Sequence, residues 1–209
     1  MAAFVAAAKS IIDEEGVGAV SIRRVSTTAG FSSATLYLYF EDINELITMS
    51  LISCLSDYIT DIINSTPQEE TPESEYNRTW RLFCEHAFAH PSQFHHLFFG
   101  PQANKIDSIA KKYYELFPEE LEHATGRMFE MLGKGSLLDR NLVILESFAT
   151  KLGLSAHEIE IANDLTIAYF QSFLQRAETS TWSKKQHAQA VDQFMEGAFF
   201  ILRGPGVNE

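Results

Sequence analysis

The 209-residue chain carries 16 basic and 28 acidic residues, a formal net charge of -12 at pH 7. Hydrophobic residues make up 45% and charged residues 21%, a composition that excludes disordered and collagen-like chains. The two cysteines, Cys54 and Cys84, are too few for a disulfide framework and are interpreted as reduced apolar residues. Because phosphates attract cations, the acidic balance means that nucleic-acid binding would require a locally shaped surface.

The expected location of the protein is the cytoplasm. Residues 1–8 are apolar but lack the basic region that opens a secretory signal. No run of about 20 consecutive apolar residues is present, so we expect no bilayer-crossing helix and no membrane partner.

The start of the chain predicts three short helices. They cover residues 2–15, 22–29 and 33–39. The apolar spacing is helical, and Ser21 and Ser32 stand where N-caps are expected. Gly16 ends the first helix, and Gly30 suits the left-handed residue that ends the second.

The remaining chain predicts longer helices and almost no strands. Helices are predicted over residues 43–64, 73–90, 155–178 and 183–203, with further breaks at prolines and glycines between them. The polar stretch 65–74 is interpreted as a connector. We therefore expect an all-α chain of about nine or ten helices, with a three-helix head over 1–46 and a larger helical body over 47–209.

The head has the pattern of a helix-turn-helix. Gly30 allows the tight bend between the second and third helices, and the residues that can point inward are Val25, Ala29, Phe31, Leu36 and Phe40. Segment 29–40 (AGFSSATLYLYF) and segment 16–25 (GVGAVSIRRV) together resemble the TetR family of transcriptional regulators. The resemblance implies a recognition helix that enters the major groove of operator DNA as part of a homodimer.

Candidate DNA contacts follow from the chemistry of the head. They are Ser21, Arg23, Arg24, Ser33, Ala34, Thr35, Tyr37 and Tyr39. Arg23 can donate two hydrogen bonds to guanine, and Arg24 is assigned a phosphate or surface role. Ser33, Ala34 and Thr35 can reach base edges, while the tyrosines and the helix start at Ser21 suit phosphates.

The chain departs from the family pattern in ways that bear on affinity. Ser26 replaces a common alanine. Ile43 replaces a lysine that usually meets a DNA phosphate, and no basic arm precedes the first helix.

Aromatic residues, histidines and methionines suggest an effector pocket in the body. The candidates are Trp80, Phe83, Cys84, His86, Phe88, His90, Phe98, Tyr113, Met128 and Met131. Such side chains suit a small, mainly apolar or aromatic ligand, but they suit an ordinary core equally well. His86 and His90 have metal-ligand spacing, yet a helix places only these two, so we predict no metal and no cofactor.

The last two helices predict a dimer interface. The segment 155–178 has apolar residues on two faces, which implies contact with the body and with a second partner. The interface candidates are Leu165, Tyr169, Phe173, Val191, Phe194, Ala198 and Phe199. The alternative is a deeper core within one subunit.

The leading hypothesis is a homodimeric DNA-binding regulator, a repressor released by a small effector. One alternative is an interaction module that has kept the fold but lost DNA binding. The other is a helical enzyme, although the P-loop, dinucleotide-binding, zinc-protease and nucleophile-elbow motifs are absent and no catalytic residue is predicted.

Overall fold

A computed structural model describes residues 1–204 of the chain, and this part is all-α, as predicted. The α-helices are α1 (Ala2–Glu15), α2 (Ile22–Ala29), α3 (Ser33–Leu36), α4 (Ile43–Ser53), α5 (Ser56–Asn64), α6 (Pro72–Ala89), α7 (Pro91–Phe99), α8 (Ile106–Leu116), α9 (Gly126–Gly133), α10 (Leu137–Lys151), α11 (Ala156–Thr179) and α12 (Lys184–Arg203). Short 3₁₀ turns at Val17–Ala19, Ala103–Lys105 and Pro118–Leu121 join some of them.

Helices α1 to α4 form the head, in which α1 packs against both α2 and α4. The side chains of Val25, Leu36 and Leu46 are fully buried, and Phe4 meets Phe40 edge to face at 6.3 Å. Burial of these apolar side chains stabilises the head and fixes α3 against its support. The predicted bounds of α1 and α2 are confirmed.

Helix α3 is shorter than predicted. It ends at Leu36, and Tyr37 to Tyr39 continue as turns in which Leu38 N–H donates to Thr35 O at 3.2 Å and Tyr39 N–H to Leu36 O at 3.0 Å. These i→i+3 hydrogen bonds wind the chain more tightly than the i→i+4 bonds of an α-helix. The next residue, Phe40, is only 3% exposed because it enters the head core.

The predicted helix over 43–64 is divided by a turn at Cys54 and Leu55. Two buried serines precede it: the Ser50 hydroxyl donates to Leu46 O at 2.8 Å and the Ser53 hydroxyl to Ser50 O. Serine hydroxyls that bond to helix carbonyls compete with the main chain, and this accounts for the break.

The same segment bears on the expectation that no helix crosses a bilayer. By length and composition, Ile43–Asn64 could cross a membrane, with mean hydropathy 1.5, but 67% of that window is buried within the fold. Its apolar character is therefore that of a core element, which contacts α1, α6 and α8.

Helix α6 is the centre of the body and packs against α5, α7, α10, α11 and α12. Its aromatic side chains form the core with those of the last two helices. Trp80 lies 4.9 Å from Phe194, and Phe83 lies 5.2 Å from Phe170, measured between ring centroids. The boundary predicted between residues 46 and 47 falls inside α4, which packs against helices of both parts.

Candidate DNA-binding surface and effector cavity

The turn between α2 and α3 depends on Gly30. Its φ of 76° is left-handed, and the Phe31 N–H donates to Ser26 O at 3.0 Å to close the end of α2. Glycine adopts this conformation without the steric cost of a side chain. Ser32 then caps α3 by accepting from Thr35 N–H at 3.2 Å, and the two elements set α3 at an angle to α2.

The outer side of α3 and the following turn is exposed. Ser33 and Ala34 are solvent-accessible, and Tyr37 and Tyr39 are 55% and 41% exposed. Thr35 is half-buried, and its hydroxyl forms a hydrogen bond of 2.9 Å with the hydroxyl of Ser32. The Thr35 side chain is therefore partly occupied by a contact within the protein.

Two apolar side chains on this surface were not among the sequence candidates. Leu38 is 78% exposed and Phe31 is 52% exposed, and both flank the predicted contact residues. The exposure of Phe31 corrects the expectation that this side chain points inward. The available sequence signals were the position of Phe31 directly after the turn glycine and that of Leu38 between the candidates Tyr37 and Tyr39.

The two arginines of α2 have different surroundings. Arg24 forms a two-pronged ion pair with Glu15, with one contact of 2.8 Å between Nη1 and Oε2. This hydrogen-bonded pair lowers the pKa of Glu15 and raises that of Arg24. Arg23 is exposed and, within residues 1–204, forms no ion pair. Ser21 uses its hydroxyl to accept from Arg24 N–H at 3.4 Å.

Most other cations near the head are also paired. Lys9 contacts Asp13 at 2.7 Å. Lys105, in the 3₁₀ turn before α8, contacts Glu41 at 2.9 Å. Ile43, which stands where the family usually has lysine, is half-buried at the start of α4. The head therefore presents few free positive charges.

Lys112 of α8 connects the body directly to the turn at residues 37–39 after α3, which we term the recognition turn. Its ammonium donates to Tyr39 O at 2.9 Å and to the Glu45 carboxylate at 2.7 Å, and it lies 5.5 Å from the Phe40 ring centroid. Movement of α8 would thus act on the backbone that follows α3.

A second set of contacts ties α8 to α10. Asp107 accepts from Gly135 N–H at 2.8 Å and from Ser136 N–H at 3.2 Å. Arg140 in turn donates from Nε to Lys134 O at 2.7 Å. Together with Lys112, these bonds form a continuous path of contacts from α10 to the recognition turn.

A small cavity lies between α5, α6, α9 and α10. It is lined by Tyr58, Thr79, Trp80, Phe83, Met131, Leu137, Arg140, Asn141 and Ile144. Its free volume is about 20 Å³, which is room for about one water molecule. Of the predicted pocket residues, the structure brings Trp80, Phe83 and Met131 together here.

The other predicted pocket residues do not line this cavity. Cys84, Phe88, Tyr113 and Met128 are buried, and the buried Phe98 ring lies 5.7 Å from the guanidinium of Arg140. The His86 ring bonds to Asp61 at 2.9 Å, and His90 is exposed at the end of α6. Among the described residues, no three potential metal-ligating side chains converge.

The cavity contains a polar side that the aromatic pattern did not predict. Trp80 Nε1 donates to Asn141 at 2.7 Å, and Asn141 donates to Asn163 at 2.8 Å. Arg140 lies next to Asn141 and is 4% exposed. An adjacent arginine and asparagine inside the apolar run of α10 were the available sequence signal.

The exposed face of α11 and α12 differs from the predicted interface. Leu165 is 51% exposed and Tyr169 and Phe199 are half-buried, but four of the candidates are no more than 2% exposed within the subunit. Those four are Phe173, Val191, Phe194 and Ala198. They belong to the core of one subunit, because α11 packs against α12 of the same chain.

The residues that do face outward include two that the sequence analysis did not assign to the interface. Ile161 is 46% exposed and Phe200 is 61% exposed. Together with Leu165, Tyr169 and Gly197 they form what we term the α11–α12 face. Tyr169 lies over Gly197, where an added Cβ would come within 2.3 Å of the Tyr169 ring.

Residues 4–48 match the family profile for bacterial regulatory proteins of the tetR family. The head of this chain is therefore similar to the domain that this profile describes. The whole chain also resembles a candidate transcriptional regulator from Pseudomonas aeruginosa PAO1, with TM-score 0.53 and 15% identity over 97% of this chain and 91% of that chain. The prediction of an all-α fold with a helix-turn-helix head and a larger helical body is thus confirmed, and the profile match over residues 4–48 supports the resemblance to the TetR family.

A second solved structure is that of a candidate tetR family transcription regulator from Shewanella sp. PV-4. The match covers 94% of this chain and 96% of that chain. It has 14% identity and TM-score 0.46. No curated protein sequence matches the chain.

Proposed function

We propose that the protein is a transcriptional regulator that binds operator DNA through α2, α3 and the following turn. The observation that supports this most is the exposed surface around Ser33, Ala34 and Tyr37, beside the unpaired Arg23. A short helix standing out from a packed support is the geometry that enters a major groove about 12 Å wide.

The test is binding of the DNA upstream of the protein's own gene, measured by fluorescence anisotropy. Arg23→Ala is expected to weaken specific binding by about 1–3 kcal/mol, the value of a bidentate guanine contact. Lys185→Ala is the matched control, because Lys185 is an exposed cation on α12, which packs against α6 and α11. Equal affinity of the wild type and Arg23→Ala would reject this role for Arg23.

The regulator is proposed to act as a homodimer that joins through the α11–α12 face. Two recognition helices would then lie about 34–36 Å apart and read a pseudo-palindromic operator. Exposed Ile161, Leu165 and Phe200 form an apolar surface that a second copy can bury.

Sedimentation of Phe200→Glu tests the dimer, with Phe129→Glu as the control, since Phe129 is 52% exposed on α9 and outside the face. We expect monomer from the first and dimer from the second. A wild-type protein that sediments as a monomer at micromolar concentration would disprove the dimer.

We further propose that a small effector releases the protein from DNA, so that it acts as a cytoplasmic repressor rather than an enzyme. The path from Arg140 through Asp107 to Lys112 supports this, because it connects the cavity wall to the recognition turn. An effector that binds one arrangement of α8 and α10 better than the other would shift the equilibrium between DNA-binding and free forms.

The alternative is an interaction module that no longer binds DNA. The paired state of Lys9 and Arg24 favours it, because these cations are held by acidic neighbours. Absence of binding to upstream DNA even at low salt would support this alternative.

A further inference from the structure

Arg140 is a buried cation in the body without a buried counter-charge. Its Nε and Nη2 donate to the carbonyls of Lys134 and Leu132, at 2.7 and 3.2 Å. Its Nη1 is buried with no hydrogen-bond partner within 3.5 Å, although the Tyr114 hydroxyl lies near the guanidinium, and within residues 1–204 no carboxylate lies within 4.0 Å. A guanidinium stays protonated in proteins, so the positive charge remains and is costly to bury unpaired.

Arg140 is one of the residues that line the cavity. Thr79, on the facing helix α6, also lines it, and its hydroxyl is likewise buried without a partner. By contrast, the amide of Asn141 is already used by Trp80 and Asn163. The cavity thus offers two unused polar groups, one of them charged.

The remaining wall is apolar. The side chains of Trp80, Phe83 and Ile144 are 2%, 4% and 3% exposed and line the space around the two polar groups. A site with one positive charge, one hydroxyl and otherwise hydrocarbon or aromatic walls fits a ligand with an anionic end and an apolar remainder.

Among residues 1–204, no acidic side chain occupies the anion's place. Glu120, whose charge acts on Tyr114 beside Arg140, accepts hydrogen bonds from Tyr113 at 2.5 Å and from Ser56 at 3.2 Å. The Glu120 carboxylate is therefore directed to those two hydroxyls. The counter-charge of Arg140 would then have to come from a bound ligand.

We propose that this cavity binds a small carboxylate with an apolar or aromatic body. Its carboxylate accepts from Arg140 Nη1 and the Thr79 hydroxyl, and its apolar part contacts Trp80. The inference rests on the proposed function, since it assigns the chemical class of the effector. The free volume of about 20 Å³ requires α9 and α10 to move apart on binding, because ligand sites occupy about 300 Å³ or more.

That movement engages the contact path described above. Arg140 holds the carbonyls of the α9–α10 connection, whose Gly135 and Ser136 amides bind Asp107 of α8. A carboxylate that draws the guanidinium toward itself would therefore shift the connection against α8.

The first experiment measures binding of decanoate and 4-phenylbutyrate, with decanamide and 4-phenylbutyramide as uncharged counterparts. The protein has two tryptophans, so a Trp182→Phe background leaves Trp80 as the single fluorescent reporter inside the cavity wall. We expect saturable changes with the acids and at least about tenfold weaker binding of the amides, since a hydrogen bond to a charged group is worth about 1.5–3 kcal/mol.

The second experiment compares variants in the same background. Arg140→Met removes the charge and should weaken acid binding at least about tenfold while leaving amide binding unchanged. Thr79→Val, which leaves the carbonyl contacts of Arg140 intact, should weaken it by a smaller factor and serves if Arg140→Met fails to fold. Arg81→Met is the matched control, since that arginine pairs with Asp192 outside the cavity.

Equal binding of acid and amide, no saturable acid binding by the wild-type protein, or unchanged acid binding in both Arg140→Met and Thr79→Val would overturn the proposal. Upstream-DNA binding is measured separately on the same proteins. Acid binding without DNA binding would reject the proposed function alone, whereas DNA binding without acid binding would reject the effector class alone.

Discussion

Glu120 is a carboxylate that the fold partly buries without full compensation. Its Oε1 accepts from Tyr113 and Ser56, while its Oε2 is buried with no partner. Burial raises the pKa of Glu120 above its ordinary value of 4.5. The folded state therefore holds the proton more tightly than the unfolded state, so this group's stabilising contribution is present below pH 4.5 and is lost as pH rises through the folded pKa.

Glu120→Gln should consequently stabilise the protein at pH values above the folded pKa of Glu120, because it removes the buried charge. Urea unfolding at several values from pH 4.5 upward should show a gain over wild type that grows as pH rises through the folded pKa and then levels off. Glu119→Gln is the control, because that side chain is exposed. A gain that is independent of pH would mean that burial of the charge is not the cause.

Individual site residues were predictable where the signal is local. Arg23 and the N-caps Ser21 and Ser32 follow from chain position, and the structure places all three at the ends of α2 and α3. The pairing of Arg24 with Glu15 across a turn, and the role of Arg140 in the cavity, depend on packing between elements. Residue spacing along one helix carries no information about such contacts.

Gly135, in the connection between α9 and α10, lies directly against the backbone at the start of α8. A Cβ at this position would lie 2.5 Å from the Asp107 backbone, too close for either element to remain in place. Gly135→Ala should therefore separate the two helices and destabilise the protein by about 1–3 kcal/mol, the usual cost of overpacking.

Gly133→Ala is the matched control, since an added Cβ there meets nothing within 4 Å. In α9 an alanine should be neutral or stabilising by up to about 1 kcal/mol. Urea unfolding of both variants checks the pair. If Gly135→Ala also weakens the response of DNA binding to effector, the contact of Asp107 with this connection transmits that response.

The ends of helices with clear caps and apolar periodicity were predicted to within one residue. Examples are α11, which is capped by Ser155, and α12, which is capped by Ser183. Errors arose where side-chain hydroxyls or tertiary packing override periodicity. Ser50 and Ser53 interrupt the helix predicted over 43–64, and burial of Phe40 shortens α3. The sequence pattern alone does not weigh these competing contacts.

Across the molecule, the two apolar faces of α11 were predicted, but their partners were only partly assigned. Phe173 packs edge to face with Phe194 at 6.0 Å between ring centroids within one subunit, so the face given to a second copy is partly core. Leu165 remains exposed. Periodicity identifies an apolar face, whereas only the packed structure shows whether the same chain covers it.

Charge distribution gives the last prediction, the dependence of DNA affinity on salt. Each phosphate neutralised by a cation contributes about -0.9 to the slope of log K against log salt. Near the head, Lys9, Arg24, Lys105 and Lys112 are each bound to a carboxylate, and Arg23 is assigned to a base. We expect a dimer slope of about -2 to -4, shallow for a regulator, because hydroxyls and helix amides release few counterions.

Glu15→Gln provides the sharpest test of that expectation, because it releases Arg24 from its ion pair. One additional phosphate contact per subunit should steepen the slope by about 2 per dimer. Glu146→Gln, on the exposed side of α10, changes the net charge equally and should leave the slope as it was. Anisotropy titrations across several salt concentrations measure all three proteins. A wild-type slope near about -8 would instead mean that Lys105, Lys111 or Lys112 leaves its place in the free protein and meets the DNA.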